Sequence, residues 1–179
     1  MVRAMSPPPA IALEIAPPTK RDVIENLFQL YTHDFSEQWA GQARGELGED
    51  GRFAPYSHLD SYWREPERVP LLIRTGGHLA GFALLNRYGR VRPAPDRAMA
   101  EFFIVRKHRL SGVGRAAAHA IFDRYPGAWE AAVARKNTAA LAFWRRTVGT
   151  YPRAAEVEEL DLNSADWNGP VLRFRIGNA

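Results

Sequence analysis

The sequence holds no cysteine. That excludes disulfide scaffolds, thiolate metal sites and cysteine nucleophiles at once. It also lacks a long hydrophobic run: apolar stretches such as Leu79–Leu85 fall far short of the roughly 20 residues that a spanning helix needs. The opening MVRAMSPPPA has no apolar core of the kind a secretory signal carries, so the expectation is a soluble, cytoplasmic protein with no membrane partner. Lysine is scarce, and the net charge of +4 rests on arginines scattered along the chain. Scattered charge without a helix-turn-helix or RNP-type pattern argues against a nucleic-acid partner, while a polyanionic small molecule would suit it. Histidine is thin too. His33, His58, His78, His108 and His119 share no metal-ligating spacing, so no metal is expected.

What is present is enough for one ordinary domain: 179 residues, 46% hydrophobic and 25% charged. Residues 1–9 form a proline-rich lead, expected to be a flexible tail, which leaves 10–179 as the domain. Ile11–Ala16 alternates as a short strand ended by Pro17-Pro18. Thr19 with Asp22 offers a capping box for a helix from near Lys20, whose Val23, Ile24, Leu27, Leu30 and Tyr31 recur at helical spacing. Gly41–Arg52 reads as a loop, and Phe53–Trp63 as a short helix or a packed loop. Pro70–Arg74 and Leu79–Leu85 flank Gly76-Gly77, a hairpin signal. After a loop over Arg87–Arg97 the spacing predicts a strand at Met99–Val105 and a helix at Arg115–Tyr125. A strand at Ala128–Ala134, a helix at Asn137–Val148, and strands at Glu156–Leu162 and Val171–Ile176 follow. This βαβα unit within a longer series of strands gives the fold class α/β (α+β), a mixed sheet flanked by helices.

The sharpest feature is Arg109-Leu110-Ser111-Gly112-Val113-Gly114-Arg115, set between a buried strand and a helix. Glycine permits a sharp turn and a close approach of backbone to a ligand. The amides of the first helical turn and the helix dipole favour an anion, phosphate above all, and Arg109 and Arg115 add positive charge at the same place. A Walker loop would need a lysine that is absent here. A dinucleotide fingerprint would follow its strand at once, whereas Arg106–Ser111 intervenes. A plain strand-to-helix turn is the alternative on these residues alone.

The pattern [Q/R]-x-x-G-x-[G/A] in that position, here Arg109, Gly112 and Gly114, resembles the acetyl-CoA-binding motif of the GNAT superfamily of N-acetyltransferases. Asn137-x-x-Ala140-x-x-Phe143-Trp144 resembles a second segment of that family, N-x-x-A-x-x-[FL]-Y, with order and spacing in agreement over Ala98–Val148. The resemblance implies a mostly antiparallel mixed sheet with a splayed central strand pair. It implies acetyl transfer from acetyl-CoA, with no metal, to a primary amine of a small molecule or peptide by direct attack in a ternary complex. A catalytically silent acyl-CoA-binding module on the same fold is the alternative, and homodimers are common in the family.

The same resemblance distributes the roles. Backbone amides of Leu110, Ser111, Gly112, Val113, Gly114 and Arg115 would bind the pyrophosphate, supported by Arg109 and Arg115. Amides around Phe103, Ile104 and Val105 would pair with the pantetheine arm, and that of Ile104 or Val105 would face the thioester oxygen. Asn137 would bond the arm or simply cap its helix, and Phe143 belongs to the same segment. Glu101 is the candidate base, with a solvent-facing or ion-paired carboxylate as the other reading. Trp144 stands where the family commonly has a tyrosine acid. An indole N–H only donates, so Trp144 would wall the site and pack behind it. Tyr151 is a substitute acid. The acceptor pocket would draw on Tyr31–Glu37 and Tyr56–Trp63, with Asp34, Glu37 and Asp60.

Overall fold

A computed structural model describes residues 9–178, so the proline-rich lead lies, apart from Pro9, outside the described residues. The strands are β1 (Ile11–Ile15), β2 (Val69–Thr75), β3 (His78–Asn86), β4 (Arg97–Ile104), β5 (Gly127–Ala132), β6 (Ala154–Asn163) and β7 (Asn168–Ile176). The helices are α1 (Arg21–Ser36), α2 (Val113–Arg124) and α3 (Thr138–Gly149). The strands form one sheet in the order β1-β2-β3-β4-β5-β7-β6, antiparallel throughout except for β4 against β5. No helix among the described residues is long and apolar enough to cross a membrane.

Local chemistry accounts for most boundaries. Gly76 and Gly77 take φ values of 55° and 80°, the left-handed pair that a tight hairpin turn requires, and so close β2 onto β3. One boundary differs from expectation. Thr19 does not cap α1: it lies in a 3-10 turn, Pro18–Lys20, because Pro18 favours a tight first turn, and no side chain caps the helix at Lys20. The Phe53–Trp63 stretch is mainly loop, with a 3-10 turn over Leu59–Trp63.

The sheet carries a core on each face. Alternation along the strands sends Leu72, Phe82, Leu84 and Phe103 to α1, where they bury Ile24, Leu27 and Phe28. The other set, including Ala83, Leu85, Met99, Ile104, Trp129 and Phe174, packs on α2 and α3 through Ala117, Ile121, Phe122, Trp144 and Val148. Both faces of the central strands are covered, which is why β3 reads as a nearly continuous apolar run.

The centre of the sheet is where the fold matters for function. β4 and β5 pair only at Arg97–Trp129 and Ala98–Glu130, and then part. Beyond that point β5 continues on β7 alone, and Val133 N–H donates to the Pro170 carbonyl. Where β5 has left, Phe143 and Trp144 of α3 pack on Phe102 of β4, at ring separations of 5.7 and 5.2 Å.

Candidate active site

The turn between β4 and α2 forms a cradle of backbone N–H groups with the geometry to receive an anion. Leu110 and Gly112 take left-handed φ values of 59° and 86°, and Gly112 is the N-cap of α2. Such alternation turns successive amides to one side, forming a nest for anions. Among the described residues, the N–H groups of Leu110, Ser111, Gly112, Val113, Gly114 and Arg115 donate to no protein acceptor. Leu110 holds this conformation with a wholly exposed side chain. A Cβ on Gly114 would come within 3.2 Å of the Phe143 ring and 3.6 Å of Ile104, so glycine there lets α2, α3 and β4 converge. Arg115 is exposed beside the cradle.

Arg109 is placed differently from the expectation. Its Nε donates to the Ile104 carbonyl at 2.6 Å, its guanidinium lies 5.2 Å from the centre of the Phe103 ring, and Nη2 pairs with Asp34 of α1. Arg106 joins the same carboxylate at 2.8 Å. Burial would raise the Asp34 carboxyl, but hydrogen bonds from the two guanidinium groups outweigh it and hold it below the usual carboxylate range. Arg109 is thus a strut from the cradle to α1 rather than a group lying over the amides.

The backbone of β4 sorts the expected donors. Val105 N–H donates to the Ala80 carbonyl on β3 at 2.9 Å, so it does not face the splay. An antiparallel ladder alternates, so Phe103 N–H turns to β3 as well, while those of Phe102 and Ile104 turn to the side β5 has left. Of the expected Phe103, Ile104 and Val105, only Ile104 presents its amide there. Phe102 was overlooked in the sequence, since strand register is invisible without the partner strand.

Glu101 sits on the α1 face of β4, one residue past a bulge at Ala100 that breaks the β3 register. The bulge leaves Ala100 unpaired and shifts the alternation, so Glu101 faces α1 together with Phe103 although Met99 faces the other core. Tyr31 of α1 donates to Glu101 Oε2 at 2.5 Å. Burial pushes the Glu101 carboxyl up to about 7, against hydrogen bonds from Tyr31 and Tyr56 and the charges of Arg44 and Arg90, which pull it down. Burial, reinforced by the nearby carboxylate, raises both tyrosines in turn, Tyr31 well above its ordinary value. The Tyr31–Glu101 pair spans 70 residues, so nothing in the local pattern announces it. Asp34 and Asp60 do not contribute free charge to this place: Asp34 serves the two arginines, and Asp60 pairs with Arg21 and Arg64. Nearby, a cavity of about 280 Å³ opens between α1 and the following loop and shares Phe28 and Tyr56 with the surround of Glu101.

Asn137 caps α3, its Oδ1 accepting from Ala140 N–H at 3.1 Å. Trp144 is buried in the α2–α3 core, and its indole N–H donates to no acceptor among the described residues. Phe143 stacks on Phe102 at 22°. Tyr151 cannot serve as the acid. Its hydroxyl donates to Asp123 at 2.7 Å near the C-terminal end of α2, the opposite end from the cradle, and burial with that carboxylate pushes it up to about 12. Among the described residues no group of three or more His, Asp or Glu could hold a metal ion.

Comparisons with known proteins agree with this architecture. An acetyltransferase from Thermus thermophilus superposes with a TM-score of 0.64 at 17% identity, over 94% of this chain and 97% of that one. The ribosomal-protein-S18-alanine N-acetyltransferase of Escherichia coli gives 0.52 at 14%, over 95% and 96%. A spermidine N-acetyltransferase chimera from Vibrio cholerae and hSSAT gives 0.52 at 15%, over 93% and 94%. At such identities the likeness concerns the fold. A search of curated protein sequences gives no match. The model of the Acetyltransferase (GNAT) family matches residues 24–150, from the first core residue of α1 to the end of α3. That span includes the cradle, the splay and Glu101, and the chain belongs to the GNAT family of acetyltransferases.

Proposed function

We propose that this acyltransferase moves an acetyl group from acetyl-CoA to a primary amine of a small molecule or peptide, by direct attack within a ternary complex. The row of six unpartnered N–H groups from Leu110 to Arg115, at the head of α2 and beside the parted β4–β5 pair, carries this reading. The cradle would receive the pyrophosphate, with Arg115 at its rim, because amides and the helix dipole match an anion there. The outward amides of Phe102 and Ile104 would hold the acyl-bearing arm in strand fashion. Ile104 N–H would donate to the thioester oxygen as negative charge builds on it, an already oriented donor needing little reorganisation.

Glu101 removes the proton from the acceptor ammonium. With its carboxyl titrating at about 7, it is substantially ionised at neutral pH and still basic enough to take a proton. The freed amine attacks the thioester carbon, the oxyanion forms opposite Ile104 N–H, and the C–S bond breaks. Trp144 can donate a hydrogen bond to the departing sulfur but keeps its proton, so the thiolate leaves as such or is protonated by water. Asn137 holds the head of α3, which positions Phe143 and Trp144 against the splay.

Calorimetric titration with acetyl-CoA, CoA and ADP tests the reading. Saturable binding that weakens when the pantetheine is missing is the expected result, followed by thiol release in the presence of amines. No binding at millimolar acetyl-CoA would overturn it.

A further inference from the structure

The approach to Glu101 carries a second pattern, which bears on the acceptor. Glu130 of β5 lies on the same sheet face as Glu101, since its neighbours Trp129 and Ala131 belong to the core on the opposite face. The buried Glu130 carboxylate accepts the backbone N–H groups of Arg90 and, at 3.3 Å, Val91. This fixes the loop over Arg87–Asp96 above β5, while α1 covers β2 and β3. Glu101 therefore lies on the floor of a trough between α1 and that loop.

A guanidinium stands at each side of the trough, over the ring of a tryptophan. On the loop side, Arg90 lies 4.6 Å from the centre of Trp167, in the turn between β6 and β7. On the other side, Tyr31, Phe35 and Trp39 form a ladder of rings at 4.6 and 5.7 Å leading outward from Glu101, and Arg44 caps it at 4.1 Å. Neither arginine pairs with a carboxylate among the described residues, whereas Arg106 and Arg109 at the α1 end of the site both do. Stacking occupies the faces of a guanidinium and leaves its in-plane N–H edge free, the edge that recognises carboxylate or phosphate bidentately. Arg90 uses that edge only for one long contact, 3.4 Å, to the Asp166 carbonyl.

We propose that the acceptor carries, besides its amine, a carboxylate or phosphate group that Arg44 and Arg90 engage while the amine meets Glu101. The proposal rests on the N-acetyltransferase reading of the same site. Arg44 and Arg90 both bring positive charge to bear on Glu101, while the other carboxylate on this face, Glu130, is buried and held by backbone N–H groups. A polyamine entering the trough would meet the two guanidinium groups as well as Glu101. An amino acid or an amino phosphate would meet charge of the opposite sign at each end.

The test compares matched acceptors at saturating acetyl-CoA, using the full chain: L-phenylalanine against 2-phenylethylamine, phosphoethanolamine against ethanolamine, with spermidine alongside. Within each pair kcat/KM is expected to favour the anionic member at least tenfold. In the Arg44→Gln, Arg90→Gln double variant that ratio should fall at least tenfold, through KM rather than kcat, and Arg→Lys at both positions should restore part of it. Circular dichroism checks that the variants fold, which is expected because both side chains lie at the surface. Preference for the decarboxylated amines or spermidine, or an unchanged ratio in the double variant, overturns this inference and leaves the transferase reading standing. Failure to acetylate any of the amines, with acetyl-CoA bound, overturns both.

Discussion

Tyr31→Phe removes one hydroxyl and tests whether Glu101 is the base. The lost bond is short, 2.5 Å, and its acceptor is the carboxylate whose ionised form is at stake. A hydrogen bond to a charged group contributes about 1.5–3 kcal/mol, and one pKa unit corresponds to about 1.4 kcal/mol. Without it the ionised form loses support, so the Glu101 carboxyl rises from about 7 by about one to two units. At pH 7 the ionised fraction would fall from about a half to between about a tenth and a hundredth, so kcat/KM should drop about 5- to 50-fold. At alkaline pH, above the new titration, the rate should return to within about threefold of the parent. The assay is thiol release against pH with one fixed acceptor. The expected signature is a displaced acidic limb with an almost unchanged plateau. A limb that stays near the parent position, or an equal loss at every pH, would refute the argument, the second by showing that Tyr31 only shapes the pocket.

Other substitutions probe the same site from different sides. Glu101→Gln should lower kcat by about a hundredfold or more while leaving acetyl-CoA affinity within about threefold, checked by single-turnover kinetics and calorimetry. The same variant should be more stable than the parent at alkaline pH. A carboxyl raised from 4.5 to about 7 favours the fold below its unfolded value, and loses that advantage as pH climbs through about 7. Discounted for partial exposure, the gain should be about 1–2 kcal/mol at pH 8 and near zero at pH 4, read from urea unfolding. Gly112→Asp places a carboxylate in the cradle and a non-glycine residue at a φ of 86°, so acetyl-CoA binding should fall below detection in the calorimeter. Asp34→Ala leaves Arg106 and Arg109 without their shared partner. Stability should drop by about 1–2 kcal/mol, and KM for acetyl-CoA should rise as the strut between α1 and the cradle loosens.

How far the sequence could be read depended on the range of the interaction. Gly76-Gly77 announced its hairpin and Gly112 its turn, because a positive φ is a local demand that few residues meet. Asn137 announced the head of α3 for the same kind of reason, a side chain bonding backbone three residues on. The capping box at Thr19 was also local, yet it failed because Pro18 imposed a tighter turn. Tyr151, the substitute acid, lies instead against Asp123 at the far end of α2, a placement that depends on how α3 packs.

By itself, the sequence determined the order of strands and helices, the βαβα unit and the anion-seeking turn, since periodicity, turn chemistry and unpaired helix-head amides act within about ten residues. The tertiary structure alone decided which of those groups meet. The bulge at Ala100 sets Glu101 toward α1, where Tyr31 finds it across 70 residues of chain. Register with β3 turns the Val105 amide away and leaves that of Ile104 outward. Asp34 claims Arg109, and two tryptophans far apart in the chain each hold an arginine beside the trough. These are distances, burial and field, quantities that come into being only when the sheet closes and solvent is displaced from the Glu101 carboxylate.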